Sequence, residues 1–115
     1  LLFDLPEYMA LFDIFPSAKS LIDTGHAHVN GWDIPAVVQS LGERLAACHV
    51  HDNDATADAH LPIGQGIIEW DKYFAAVKEY APQATQVFEY CCGFKNTAEV
   101  EAHIAKIKKT YQLAE

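Results

Sequence analysis

The sequence predicts an α/β fold built of parallel βα units, and three observations carry that prediction. Helix-start signatures recur along the chain, short apolar runs alternate with them, and each apolar run ends in residue types that bind metals. Asp4-Leu5-Pro6-Glu7 combines an Asp N-cap, an early proline and a glutamate placed for a capping box. A helix follows with Leu5, Met9 and Phe12 on one stripe and ends before Pro16. Residues 20–24 form an apolar run closing in polar groups, which reads as a buried strand. Asp33-Ile34-Pro35 repeats the helix-start chemistry, with Val37, Val38 and Leu41 as the stripe and Gly42 as the C-cap. Residues 45–51 are the second strand, followed by a loop to about Ile68. A helix near 70–80 turns Phe74 and Val77 inward and stops at Pro82. Residues 86–90 form the third strand. Asn96 caps a last helix, with Glu99 three residues on and Val100, Ile104, Ile107 and Tyr111 as its stripe.

Strands alternating with helices imply parallel pairing through right-handed crossovers. A closed barrel of such units needs eight strands and about 250 residues, so 115 residues make one domain, 1–115, that is part of a barrel or a small open layer. The chain starts at Leu1 without methionine and reads as trimmed or as an excised piece.

The formal net charge is −8, with only 8 Lys and Arg. Such a surface repels nucleic acid and anionic membranes, whose binding depends on basic residues displacing counterions. No apolar run approaches the roughly 18 residues of a membrane span, and no signal peptide is visible. Three cysteines, Cys48, Cys91 and Cys92, include no C-x-x-C pair. Free thiols in a reducing cytoplasm are therefore expected.

Ligands of parallel α/β folds gather at the C-terminal ends of strands, and that is where the polar residues fall. The first strand ends Asp23-Thr24-Gly25-His26. The second ends His49-Val50-His51-Asp52, with Asp54, Asp58 and His60 in the loop beyond. The third carries Glu89 between Phe88 and Tyr90. Alternation along a strand turns His49 and His51 to one side and Val50 to the other. Gly25 permits a tight turn that returns His26 over the strand end. Mixed carboxylate and imidazole donors suit Mn²⁺, Zn²⁺, Co²⁺ or Mg²⁺. Each motif also has a plainer reading. Asp23-x-x-His26 is equally an N-cap and turn, His49 a core histidine, and Asp52-Asn53-Asp54 a solvated loop. Trp32 and Trp70 read as packing, His28 and His103 as surface residues.

Asp23-Thr24-Gly25-His26, then His49-Val50-His51-Asp52-Asn53-Asp54, then the run from Asp58 through His60 to Gly66, then Glu89, in this order, resemble the xylose isomerase-like TIM barrel superfamily. That group includes sugar isomerases and epimerases and the endonuclease IV type of abasic-site nuclease. The resemblance spans nearly the whole chain and implies the last three strands of a TIM (β/α)8 barrel, incomplete here, with a preceding helix. It implies that Asp23 and Glu89 are ligands of a divalent metal. A strand histidine is another, in one of two registers: His49 with Asp52, or His51 with Asp54, the first being the better match. His26, Asp58 and His60 match positions that bind additional metal in the nuclease branch, and in isomerase relatives His26 contacts substrate instead.

The function the resemblance implies is a metal-dependent sugar or sugar-acid isomerase or epimerase working through an enediolate, with Glu89 and His26 as catalytic groups. The family's fifth-strand glutamate, both ligand and base, has no counterpart in this chain, so the chain alone is expected to be inactive. The arginine that ketose epimerases carry after the strand histidine is also missing, since residues 53–57 are acidic and small. The alternatives are a metal-dependent phosphodiesterase of the endonuclease IV kind, or a non-catalytic half-barrel. Expected partners are a small sugar and either a second copy of the chain or a missing N-terminal half.

Overall fold

The computed structural model describes residues 4–114; residues 1–3 and 115 of the expected 1–115 domain lie outside the described residues. Its elements are α1 (Leu5–Ile14), β1 (Ser20–Asp23), α2 (Thr24–Val29), α3 (Ile34–Leu41), a 3-10 turn (Gly42–Arg44), β2 (Leu45–Val50), α4 (Trp70–Tyr80), β3 (Thr85–Phe88) and α5 (Thr97–Tyr111). The three strands form one parallel sheet in the order β1-β2-β3, as the alternation of elements requires. This is the α/β arrangement of a partial TIM barrel.

The helix starts follow the sequence signatures. Asp4, Asp33 and Asn96 are N-caps whose side chains accept from the backbone N–H groups of Glu7, Ala36 and Glu99. Gly42 ends α3 with φ +51, a conformation that favours glycine. Gln112 closes α5 in the left-handed region.

The strands end earlier than the sequence pattern suggests. β1 stops at Asp23 and β2 at Val50, one residue short in each case, and β3 covers 85–88 rather than 86–90. The cause at β1 is a six-residue helix, α2, that apolar periodicity did not reveal. The Asp23 side chain caps it by accepting from His26 N at 2.9 Å. Gly25 is thus helical rather than part of a tight turn. At β3 the ladder continues for one more bond, Glu89 N–H to Val50 O at 3.1 Å, so Glu89 stays aligned with the sheet.

The register places Leu21 beside Ala47, Asp23 beside His49, and His49 beside Val87. Alternate residues Ile22, Cys48 and Val50 face the helices and are buried with Val38, Leu41, Leu45, Tyr73, Phe74, Val77 and Ile107. The opposite face is open: Leu21 is 47% exposed and Val87 40%. In a closed barrel this face would point inward, and both outer strand edges would pair. No helix among the described residues is long and apolar enough to cross a membrane.

Candidate metal centre

Parallel register brings Asp23 and His49 side by side at their strand ends, and Glu89 follows two residues after His49's partner Val87. His49 Nδ1 lies 3.2 Å from Glu89 Oε2 and 3.8 Å from Asp23 Oδ2. One ligand atom from each of these three residues falls within 4.8 Å of the others. The two carboxylates are held by the fold itself. Asp23 Oδ1 is engaged by the α2 backbone and lies 2.9 Å from His51 Nε2, leaving Oδ2 toward His49. Glu89 is pinned through its backbone, its N–H on Val50 and its carbonyl 3.2 Å from His60 Nδ1.

A second group, Asp23, His26 and Asp58, and a third, His51, His60 and Glu89, meet the same distance limit. Asp58 Oδ2 is 2.8 Å from His26 Nε2 and 3.1 Å from His60 Nε2. The loop reaches this position because Asp52 and Leu61 form an antiparallel bridge, doubling residues 53–60 back over the strand ends. His60 holds φ +48, a left-handed conformation costly for a non-glycine residue, and its ring stacks on His51 at 3.8 Å between centroids.

His51 is completely buried, between Asp23 and Asp58. Neither ring nitrogen makes an aligned hydrogen bond, although Nε2 is 2.9 Å from Asp23 Oδ1 and Nδ1 3.7 Å from Asp58 Oδ1. Its backbone is fixed reciprocally by Thr24, whose hydroxyl donates to His51 O at 2.8 Å and accepts from His51 N at 3.1 Å. Burial on its own would raise the Asp23 carboxyl. The neighbouring His51 imidazole, the His26 N–H and the imidazole charges outweigh it and hold the group below the usual carboxylate range. The carboxylate oxygens of Asp23 and Glu89 with the His49 imidazole nitrogen fit a divalent cation of the Mn²⁺ or Zn²⁺ kind.

Two sequence expectations change here. Asp52 and Asn53 are fully buried rather than solvated. The Asp52 carboxylate accepts from Trp70 Nε1 and from loop N–H groups, so it serves the loop and not the cluster. Asp54, the partner in the His51 register, is exposed and accepts from Thr56 N–H and Oγ1–H. Trp70 therefore does more than pack. Sequence reasoning also missed the Thr24 lock and the cradle at Gly25, where an added Cβ would lie 2.0 Å from His51 Cε1 and 2.5 Å from Nδ1. Because His51 is enclosed and cannot retreat, Gly25→Ala should cost about 1–3 kcal/mol of stability, as overpacked cores do. Urea denaturation measures it, and an unchanged midpoint would show that His51 is free to move.

Comparison with known proteins bears on the fold. A search of curated proteins finds no match. The crystal structure of a D-tagatose 3-epimerase-like protein superposes with a TM-score of 0.66 at 26% sequence identity, over 90% of this chain and 40% of that one. The chain thus spans less than half the length of that neighbour. The family described as xylose isomerase-like TIM barrel matches residues 1–114. With parallel βα units, an open inward face and acid–imidazole groups at three consecutive strand ends, the chain belongs to that family.

Proposed function

We propose that the chain provides three ligands, Asp23, His49 and Glu89, of a divalent-metal centre in a sugar or sugar-acid isomerase or epimerase. The observation that carries this reading is the convergence of those side chains from three neighbouring strand ends to within 4.8 Å. The epimerase-like structural neighbour supports the reaction class. A bound cation of this type supplies electrostatic stabilisation to oxygens that gain charge during proton transfer.

The chain's own residues contribute position and proton handling. Glu89, fixed by the ladder bond to Val50 and facing His49, offers a carboxylate that can take or return a proton at a substrate carbon. His26, whose side chain is 54% exposed and paired with Asp58, stands at the rim where a sugar hydroxyl would arrive. The remaining ligand and second base are assigned to a strand-end glutamate outside this chain, on the half of the barrel that would cover Leu21 and Val87.

A phosphodiesterase reading has one specific observation in its favour. His26, Asp58 and His60 assemble beside the first group and could hold further cations. The −8 charge opposes it. The experiment is a chain extended N-terminally to include the strand-end glutamate, assayed on ketose and aldose panels and on abasic DNA. Turnover of a sugar, abolished by chelation and reduced on the order of 100-fold or more by Glu89→Gln, is expected. Nicking of abasic DNA without sugar turnover would establish the phosphodiesterase instead.

A further inference from the structure

Two exposed thiols, Cys91 and Cys92, follow Glu89 after one intervening residue, Tyr90, on a backbone that the returning loop holds in place. Cys91 and Cys92 are both free, and their sulfurs lie 3.2 Å apart. Cys91 is tethered twice to the returning loop, through its N–H to His60 O at 3.1 Å and its Sγ–H to Ala59 O at 3.2 Å. Gly93, at φ +94, presses the next turn against Pro62 so closely that an added Cβ would lie 2.8 Å from Pro62 Cγ. The pair is therefore presented to solvent by a fixed turn.

The spacing selects what the pair can hold. A disulfide needs sulfurs about 2.05 Å apart and Cα atoms about 4.4–6.8 Å apart, whereas adjacent residues across a trans peptide are about 3.8 Å apart. Ring closure would distort this turn. A single soft centre on two bonds of about 2.3 Å, opened at roughly 90–109°, separates its two sulfurs by about 3.3–3.7 Å, near the distance observed. Sulfur donors favour soft centres, while the neighbouring carboxylates and imidazoles favour harder cations.

We infer that Cys91 and Cys92 form a two-sulfur site for one soft thiophilic centre of the trivalent arsenic class, adjacent to the Asp23–His49–Glu89 group and chemically distinct from it. With an organoarsenic oxide, two S–H bonds break and two S–As bonds form. Both protons leave with the oxide oxygen as one water, and nothing is oxidised or reduced. Loading removes the Cys91 Sγ–H bond to Ala59, so the site reports on the loop that carries Asp58 and His60.

The test is intact-mass spectrometry of the full chain after one equivalent of phenylarsine oxide, followed by challenge with excess monothiol. One adduct should form, survive 2-mercaptoethanol and be removed by ethanedithiol. Cys91→Ser and Cys92→Ser should each lose the monothiol-resistant adduct, while Cys48→Ala keeps it, with circular dichroism verifying that each variant is folded. Retention of the resistant adduct by either single serine variant would overturn the site. So would removal from the unsubstituted chain by monothiol alone.

Discussion

Glu89→Gln should weaken Mn²⁺ or Zn²⁺ binding by at least the ~10–100-fold that losing even an outer-shell partner of a metal site costs. The substitution keeps the shape of the side chain and its backbone ladder bond, and changes only the charge and donor character of the group 3.2 Å from His49 Nδ1. His49→Ala should do similar damage, because His49 stands between the two carboxylates. His51→Gln should do less. His51 has no side-chain exposure and its nearest carboxylate oxygen, Asp23 Oδ1, already serves the start of α2. Its expected role is to position Asp23 and to wall the cavity. Calorimetric titration of the three variants, each first shown to be folded, decides the matter. Equal affinity for Glu89→Gln and the unsubstituted chain would remove the centre, and a larger loss for His51→Gln than for His49→Ala would transfer the ligand role to His51.

The parts of the fold that could be read from sequence are those fixed by local chemistry. Asp4, Asp33 and Asn96 announce helices because an N-cap satisfies backbone N–H groups within three residues of itself. Parallel order follows from alternation of elements, and the placement of Asp23, His49 and Glu89 follows from strand ends lying together in such a sheet. What could not be read depends on contacts distant in sequence. α2 has too few residues to display an apolar stripe, and it exists because Asp23 caps it and Gly25 yields space to His51. Asp52 looked like a ligand because it follows two histidines. Its partners Gly64, Ile68 and Trp70 come from 12 to 18 residues further on, and only the folded loop unites them. A tryptophan and two glycines after an acidic cluster were the available signal, weak without knowledge of the turn.

Asp52→Ala should be among the most destabilising single substitutions in the chain. The carboxylate is fully buried and accepts four hydrogen bonds: Oδ1 from Asn53 N at 2.9 Å and Ile68 N at 3.1 Å, Oδ2 from Gly64 N at 2.9 Å and Trp70 Nε1 at 2.8 Å. Removing the acceptor strands four donors, each costing about 1–3 kcal/mol where water cannot replace it. Water entering the space recovers part of this, which leaves an expected loss of about 3–5 kcal/mol against a whole-domain stability of about 5–15 kcal/mol. Trp70→Phe provides the internal scale, since it deletes one donor and leaves the carboxylate three partners; about 1–2 kcal/mol is expected. Asp52→Asn should fall between them, because its NH₂ group, whichever oxygen it replaces, must confront two N–H donors while the remaining oxygen keeps its two. The loop consequence separates this role from a ligand role. With Asp52 gone, Asp58 and His60 lose the support that returns them over the strand ends, whereas Asp23, His49 and Glu89 remain fixed by the sheet. Hydrogen exchange should therefore rise across residues 53–68 before it rises in β2. A loss below about 1 kcal/mol for Asp52→Ala, with exchange unchanged in the loop, would show that the carboxylate is solvated and that the loop is held by its backbone bridge alone.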